Sequence, residues 1–195
     1  MGALGRGILA PMPKTPGKQI RTKTALREER KAFEQSFPKQ RELVFLLQDW
    51  DDGYNVGGLF RVAAACGASE LVLVGKTPDL SDPRVGVTSM GFHRRVNVRQ
   101  FKKWAEAVEV LNDEGFTLVA VEVTDTAEHY MSCDYGDKCC LVLGNEGGGI
   151  SPGLLKACDK SVVIPMYGKG RSLNVHVAGA VVAFEAMMRG SELQE

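Results

Sequence analysis

Short apolar stretches alternate with helix-like stretches through most of this chain, and this alternation restricts the fold more than any other feature. The predicted strands are residues 42–48, 70–74, 95–98 and 117–122, and the predicted helical segments between them are 55–66, 85–89 and 102–114. Strands that alternate with helices of this length form β-α-β units. We therefore expect an α/β fold with a mostly parallel sheet.

Two further strand-turn-helix units follow in the last third of the chain. The first reads LVLGNEGGGIS over residues 141–151, and the second reads VVIPMYGKGRSLNVHVAGAVVAFEAMMR over residues 162–189. In each unit an apolar strand runs into a glycine-rich or polar turn. Because ligands of open α/β sheets bind beyond the carboxyl ends of the strands, the two turns suggest one shared small-molecule cleft. The alternative is two ordinary strand-to-helix turns of a core.

The chain is neutral overall, but its charge is unevenly distributed. Lys and Arg together number 24, as do Asp and Glu, yet residues 1–41 contain ten basic and only three acidic side chains. These residues therefore carry a net charge of +7, and the remainder carries −7. A basic arm on an acidic body is typical of proteins with nucleic-acid partners, although a solvated, solubilising tail is the alternative.

The length of 195 residues suits one domain of ordinary size. Residues 1–22 are rich in Gly, Pro and Lys and are expected to lack fixed structure, whereas residues 23–37 form a predicted helix that Pro38 ends. We therefore expect a basic, partly disordered arm over residues 1–41 and a folded domain over residues 42–195.

The five cysteines favour buried thiols over disulfides or a metal site. Their number is odd, and the sequence contains neither a CxxC pair nor a cluster of metal ligands. No signal peptide is visible, and the uncharged run at residues 173–184 is too short to span a bilayer. We therefore expect a cytoplasmic protein with neither a membrane segment nor a metal.

Common signatures of nucleotide-binding and hydrolytic sites are missing from the sequence. No GxGxxG follows the first strand, and GKGRS at residues 168–172 lacks the spacing of a P-loop. A GxSxG elbow is also absent. These gaps argue against redox and phosphoryl-transfer chemistry.

Three blocks of the sequence resemble the motifs of the TrmH/SpoU branch of the SPOUT methyltransferases. The first block is NVGGLFR at residues 55–61, and the second is LGNEGGGIS at residues 143–151. The third is IPM at residues 164–166 together with SLNV at residues 172–175. The resemblance covers residues 42–188, and the occurrence of all three blocks in order and spacing makes it specific.

The resemblance implies a SPOUT fold, in which an α/β sheet carries helices on both faces and the C-terminal part forms a deep trefoil knot. It also implies the cofactor S-adenosylmethionine, a homodimer, and methyl transfer to ribose 2′-hydroxyls of tRNA or rRNA without a metal. The arginine of the first block is implied to complete the site of the other subunit. The alternatives are a knotted methyltransferase that acts on an RNA base and a catalytically inactive RNA-binding relative.

The resemblance also assigns roles to individual residues. The implied catalytic residues are Arg61, Asn55, Glu146, Ser172 and Asn174. The implied cofactor-binding residues, of which Ile164 and Met166 would flank the adenine, are Leu143, Gly144, Asn145, Gly147, Gly148, Gly149, Ile164, Pro165, Met166, Ser172 and Leu173.

Arg61 has an unusual setting in the predicted helix. Its neighbours at helical spacing form a stripe of small residues, which lets another backbone or an RNA strand approach: Gly57, Gly58, Ala64 and Ala65. A guanidinium is a poor general base because it stays protonated in proteins. We therefore expect Arg61 to bind a phosphate and to stabilise charge on the 2′-oxygen, with a general-base role as the alternative.

Several of these side chains also have a purely structural interpretation. Asn55 and Ser172 could each cap a helix, and Glu146 could be a surface residue rather than one that fixes the catalytic arginine or the substrate. His176 is interpreted as an interface residue rather than a catalytic one. The final helix, residues 173–188, is apolar on nearly all sides and should be buried, either inside the chain or in a symmetric dimer interface.

A group of basic residues near residue 95 is a candidate for RNA contact. The group follows His93 and consists of Arg94, Arg95, Arg99, Lys102 and Lys103. Together with the basic arm, it could bind successive phosphates of an RNA backbone. Few exposed aromatic side chains are expected for base stacking. Recognition would therefore depend on RNA shape and on 2′-hydroxyls.

Overall fold

The computed structural model describes residues 22–36, 39, 41–170 and 172–188. The chain divides into two units, residues 1–40 with 188–195, and residues 41–187. In the first unit, helix α1 (Lys23–Ser36) agrees with the predicted helix 23–37, whose end at Phe37 and Pro38 lies outside the described residues. The prediction of disorder for residues 1–22 likewise falls outside them, apart from Thr22.

A seven-stranded sheet forms the centre of the second unit. In chain order its strands are β1 (Glu42–Gln48), β2 (Glu70–Val74), β3 (Asn97–Phe101), β4 (Thr117–Val121), β5 (Glu128–His129), β6 (Lys138–Leu143) and β7 (Lys160–Val163). Across the sheet they lie in the order β3-β2-β1-β6-β4-β7-β5, and every pairing is parallel. The prediction of an α/β fold with a mostly parallel sheet is confirmed.

Helices cover both faces of this sheet. On one face, Phe45 of β1 belongs to a core shared with α2 (Gly53–Cys66) and α6 (Val175–Met188). On the other face, Leu46 belongs to a core shared with α4 (Trp104–Asp113) and α5 (Pro152–Ala157). Because successive strand residues point to opposite faces, a strand buried on both sides must be apolar almost throughout, as β1 is.

Two shorter helical segments lie against α2, namely α3 (Pro83–Ser89) and the 3-10 turn Phe92–Arg94. Gly57 of α2 makes this packing close, since a Cβ there would lie 2.0 Å from Thr88 Oγ1 and 2.6 Å from the carbonyl oxygen of Val85. At Gly57, the stripe of small residues predicted beside Arg61 therefore allows α3 of the same unit to pack closely against α2.

Helix α2 begins two residues earlier than predicted. Its N-cap is Asp52, whose Oδ1 accepts a hydrogen bond of 2.9 Å from the amide of Tyr54. Asn55 therefore lies within the first turn, and its interpretation as an N-cap is wrong. The helix ends before Gly67, as predicted, and the φ angle of 77° at Gly67 is typical of a glycine that ends a helix.

The third strand and the helix after it are also displaced from their predicted positions. β3 begins at Asn97 rather than at residue 95, because the amide of Arg95 donates to the carbonyl of Phe92 and so closes the 3-10 turn. α4 begins at Trp104 rather than at residue 102, because Phe101 still pairs with β2. The two-residue strand β5 was not predicted.

Helix α6 is less buried in the single chain than its sequence suggests. Its buried residues are Gly179, Val182, Ala183 and Ala186. Val177 and Phe184, in contrast, are 39% and 46% exposed. Of the two alternatives, burial of the whole helix inside the single chain is therefore wrong, and burial in a symmetric dimer interface stays a prediction. Of the helices among the described residues, none has the length and the apolar character needed to cross a bilayer.

Candidate active site

A cavity of about 480 Å³ lies at the carboxyl ends of β4, β6 and β7. The turn after β6 and the segment after β7 both line it, so the two turns that were expected to share a cleft do meet. Most of the residues expected to bind a cofactor are in its wall: Leu143, Gly144, Asn145, Gly147, Gly149, Ile164, Met166, Ser172 and Leu173. Gly148 and Pro165 are exposed and are not part of the wall.

Several wall residues were not among the predicted site residues. They lie at the ends of the strands and in the first turns of α6: Val121, Glu122, Val123, Val162, Val163, Val175 and Ala178. Most are apolar residues of the strands themselves, which sequence patterns cannot distinguish from core. Glu122 is different because it is a carboxylate that directly follows a strand.

Asn145 shapes the glycine turn after β6. Its Oδ1 accepts hydrogen bonds of 2.8 and 3.0 Å from the amides of Gly147 and Gly148. Its backbone exchanges two further bonds, of 3.0 and 2.9 Å, with Gly149. A Cβ on Gly144 would lie 2.1 Å from the carbonyl carbon of Gly149, so the two sides of the turn can come this close only because Gly144 has no side chain.

The same asparagine attaches the turn to the end of β1. Its Nδ2 donates to the carbonyl of Asp49 over 2.6 Å and to Asp51 Oδ2 over 2.8 Å. Lys76 forms an ion pair of 2.7 Å with the other carboxylate oxygen of Asp51. The hydrogen bonds from Lys76 and then from Asn145 lower the pKa of Asp51, and its carboxylate raises the pKa of Lys76.

Glu146 binds the beginning of α2. Its carboxylate accepts hydrogen bonds of 3.1 Å from the amide of Asp51, 3.4 Å from the amide of Asp52 and 2.9 Å from Asn55 Nδ2. A carboxylate at a helix N-terminus satisfies free amides and interacts favourably with the helix dipole. Among the described residues these are its bonds, and none of them goes to Arg61 of the same chain.

Asn55 is the point where the three sequence blocks meet. Its side chain is 7% exposed, and its Oδ1 accepts a hydrogen bond of 3.0 Å from Asn174 Nδ2. His176 Nδ1 lies 3.2 Å from the same oxygen. Together with Glu146, these contacts join residues that are 91 to 121 positions apart in sequence.

The cap of α6 is Asn174 and not Ser172, which corrects the interpretation of Ser172 as a cap. Asn174 Oδ1 accepts a hydrogen bond of 3.1 Å from the amide of His176. Ser172 is exposed and lines the cavity. Its side chain is therefore available to a ligand.

His176 packs against α2. A Cβ on Gly58 would lie 3.0 Å from His176 Cδ2, so the imidazole lies almost on the helix backbone. Burial lowers the pKa of His176, and the negative charge of Asp52 partly opposes this shift. A neutral imidazole that carries its proton on Nδ1 can donate to Asn55.

Arg61 lies apart from this group. Its side chain is exposed, it is not in the cavity wall, and the described part of the chain offers it no hydrogen bond or ion pair. Six positions after Asn55, it occupies a different face of α2 about 9 Å further along the helix. One chain thus brings together four of the five predicted catalytic residues around the cavity and leaves out Arg61.

The residues expected to contact RNA fall into two groups. Arg94 and Arg95 are exposed at the 3-10 turn, and Lys102 and Lys103 are exposed between β3 and α4. Arg99, however, lies within β3 and forms ion pairs of 2.6 Å with Glu70 and with Glu114. These carboxylates raise its pKa and neutralise its charge, so Arg99 contributes little to a positive surface.

Burial makes several of the cysteine thiols poorly reactive. Cys133 and Cys139 are buried, and desolvation raises the pKa of each to about 12. The pKa of Cys158 is likewise raised to about 12, mainly by burial. In the described part of the chain, no group of three His, Cys, Asp or Glu side chains is arranged to hold a metal ion.

The cavity wall fits S-adenosylmethionine. Its volume is within the range of ordinary ligand pockets, about 300–1,000 Å³. Apolar side chains suited to a purine come from Leu143, Ile164, Met166 and Leu173. Two carboxylates, Glu122 and Glu146, give a cationic ligand with several hydrogen-bond donors its counter-charges.

Fold and cavity together define an α/β protein with a ligand site at the carboxyl ends of parallel strands. The chain belongs to the SpoU rRNA methylase family, whose model matches residues 42–184, and this is a family of RNA methyltransferases. The resemblance seen in the three sequence blocks is thereby confirmed.

Curated relatives support this assignment. The tRNA (guanosine(18)-2′-O)-methyltransferase of Thermus thermophilus is 33% identical over 148 residues, which are 76% of this chain and 75% of the relative. The enzyme of the same name from Escherichia coli is 29% identical over 148 residues, 76% of this chain and 64% of the relative.

Solved structures resemble the fold as well. The AdoMet-bound rRNA methyltransferase from Sinorhizobium meliloti superposes with a TM-score of 0.71 at 26% identity, covering 79% of this chain and 59% of its own. The SpoU methyltransferase AviRb from Streptomyces viridochromogenes, in complex with AdoMet, has a TM-score of 0.69 at 27% identity, covering 78% and 60%. This chain thus spans about three fifths of each of these two structures.

Proposed function

We propose that this chain transfers the methyl group of S-adenosylmethionine to a ribose 2′-hydroxyl of tRNA or rRNA. The observation that carries the proposal is the convergence of all three sequence blocks on Asn55, beside the cavity at the strand ends. The names of the relatives support the reaction, and those of T. thermophilus and E. coli favour tRNA.

The cavity residues bind the cofactor. When bound, the cofactor supplies a methyl group that is already activated on a sulfonium sulfur. The glycine turn at Gly144 and Gly149 offers backbone at close range, and Ile164 and Met166 offer an apolar surface. No metal is needed for this chemistry. The contribution of the protein is to exclude water and to orient the ribose hydroxyl, which lowers the entropic part of the barrier.

The polar residues at the rim position the RNA. Asn55 is held by Glu146 and Asn174, so its side chain is oriented in advance, and Ser172 is free to bind the ribose or its phosphate. Arg61 binds the phosphate and stabilises negative charge on the 2′-oxygen. Arg94, Arg95, Lys102 and Lys103, together with the basic arm, attract the RNA backbone.

The working unit in this proposal is a homodimer. Arg61 lies outside the cavity of its own chain, which leaves the site incomplete without a second copy. Val177 and Phe184 expose apolar surface on α6, which a symmetric interface would cover. The arginine of one subunit would then serve the cavity of the other.

Two further parts of the proposal rest on the family. The C-terminal part of the chain would pass through a loop and form a deep trefoil knot, which tracing the chain path in a crystal structure tests directly. The tRNA-modifying relatives and the buried thiols support a cytoplasmic location, which cell fractionation tests.

The reaction itself is tested by incubating the protein with methyl-labelled cofactor and a mixture of tRNA and rRNA. Alkali-resistant labelled dinucleotides are expected, since a 2′-O-methyl group blocks cleavage. Label confined to bases would favour the knotted base methyltransferase instead. Failure to bind S-adenosylmethionine in calorimetry would favour the inactive RNA-binding relative.

A further inference from the structure

Glu122 directly follows β4, a strand that lies between β6 and β7 in the sheet. Because both neighbouring strands also end at the cavity, its carboxylate lies in the middle of the row of strand ends that forms the cavity wall. No sequence motif marks this position. Only the order of the strands brings Glu122 to the cavity.

Two backbone amides hold the carboxylate of Glu122 in place. Its Oε1 accepts a hydrogen bond of 3.0 Å from Val123, and its Oε2 accepts one of 3.2 Å from Ile150, at the end of the glycine turn. Gly149 makes room for this arrangement, because a Cβ there would lie 2.5 Å from Oε2. The carboxylate thus bridges β4 and the turn after β6.

The two carboxylates of the cavity differ in how many hydrogen bonds they accept from the chain itself. Glu146 accepts three hydrogen bonds and serves the N-terminus of α2. Glu122 accepts two, and among the described residues no Lys, Arg or His forms an ion pair with it. A carboxylate has about four acceptor positions, so Glu122 retains capacity for two donors from a ligand.

We propose that Glu122 accepts hydrogen bonds from the two ribose hydroxyls of the cofactor and so selects a ribonucleoside; this inference rests on the proposed function. A vicinal diol presents two O–H donors, which match the two oxygens of a fixed carboxylate. An acidic side chain at a strand end binds a ribose hydroxyl in the same way in dinucleotide-binding α/β folds. Charge-assisted hydrogen bonds of this kind are among the strong ones.

The experiment measures calorimetric affinities of the wild type and of Glu122→Gln for three kinds of ligand. These are S-adenosylhomocysteine, 5′-methylthioadenosine, which keeps the ribose but lacks the amino acid, and the 2′-deoxy and 3′-deoxy forms of S-adenosylhomocysteine. Asp125→Asn removes an exposed carboxylate three residues away and is the matched control. Thermal unfolding of each variant reports on folding.

Glu122→Gln is expected to weaken the binding of S-adenosylhomocysteine and of 5′-methylthioadenosine to the same extent, by about tenfold or more. Asp125→Asn is expected to bind both ligands as tightly as the wild type does. The deoxy ligands should bind the wild type weakly and lose little more in the variant. A loss of affinity that occurs only for ligands with both ribose hydroxyls also distinguishes a contact with the ribose from a change in folding, which would affect all ligands.

Other outcomes overturn the inference. A loss for S-adenosylhomocysteine but not for 5′-methylthioadenosine would assign Glu122 to the ammonium group of the cofactor. An equal loss for all ligands, deoxy forms included, would show that Glu122 only supports the turn. Wild-type protein that binds none of the ligands would refute the proposed function itself, whereas unchanged binding by Glu122→Gln would refute this inference alone.

Discussion

Asn55 Nδ2 donates a hydrogen bond of 2.9 Å to Glu146 Oε1, and through this contact the glycine turn after β6 is attached to the first turn of α2. Glu146 adds bonds to the amides of Asp51 and Asp52, and Asn55 adds a bond from Asn174. The site is therefore one hydrogen-bonded network and not three independent motifs.

Glu146→Ala should lower the free energy of unfolding by about 1–2 kcal/mol, because it leaves a buried amide of Asn55 and the N-terminus of α2 without their acceptor. Turnover should fall as well, since Asn55 loses its fixed orientation. Urea denaturation and a methyl-transfer assay measure the two effects. Glu109→Ala, at an exposed position of α4, is the control and should change neither. A wild-type denaturation midpoint for Glu146→Ala would contradict the structural role.

Arg61→Ala should leave stability within about 0.5 kcal/mol of the wild type, because the side chain is exposed and unpaired among the described residues. Cofactor affinity should also be unchanged, since Arg61 is not in the cavity wall. Turnover should fall by about a hundredfold or more, as expected for loss of a group that stabilises developing charge. A variant with wild-type single-turnover rates would remove Arg61 from the mechanism.

The proposed sharing of Arg61 between subunits predicts complementation. Arg61→Ala and Asn174→Ala should each be inactive, but one of the two sites in a mixed dimer contains neither substitution. Co-expression of the two variants should restore about a quarter of wild-type activity, given random pairing in a two-fold symmetric dimer. If the co-expressed variants remain inactive although tandem affinity purification recovers mixed dimers, the sites are not shared.

His176 should make stability depend on pH near neutrality. Burial lowers the pKa of His176 in the folded chain below its ordinary value of 6.5, so below pH 6.5 the unfolded chain binds the proton more readily. Stability should therefore be full above pH 6.5 and fall as the pH drops below it. In His176→Asn the decline between pH 7 and 5.5 should be shallower, while His129→Asn, at an exposed position, should follow the wild type. Urea denaturation across this range measures the effect.

Gly144→Ala should distort the wall of the cofactor cavity. The new Cβ would lie within 2.4 Å of backbone atoms of Gly149 and Ile150, so the turn must open, at a cost of about 1–3 kcal/mol. Binding of S-adenosylhomocysteine should be lost in calorimetry. Gly86→Ala is the matched control, because its Cβ would meet nothing within 4 Å. Since Gly86 lies at an exposed position of a helix, this substitution should raise the free energy of unfolding by about 0.5 kcal/mol. Normal binding by Gly144→Ala would show that the turn is more adaptable than its geometry implies.

The parts of the fold that depend on local pattern could be predicted from the sequence. The apolar run 42–48, the glycine that ends α2 and the glycine-rich turn after residue 143 each carry a local signal, and each lies where it was expected. Parallel pairing follows from the alternation of strands and helices, and that too was predictable.

The remainder depends on contacts between distant residues. Asn55 looked like a cap because asparagine is a good capping residue, but Asp52 accepts the capping bond from Tyr54, and Asn55 donates to Glu146 instead. Glu122 carries no motif, since its importance comes from the order of strands around it. Arg99 looked like part of a basic cluster, but Glu70 and Glu114 reach it from other elements.

The strand order also has a consequence for how the polypeptide acquires its shape. β6 is synthesised after β1 to β5, yet it occupies the middle of the sheet, where Leu43 of β1 pairs with Cys139. Until residue 143 has been synthesised, the chain lacks β6, the strand that joins β1, β2 and β3 to β4. Native structure must therefore wait for long-range pairing late in translation, which makes folding slow and exposes unpaired apolar strand edges to chaperones.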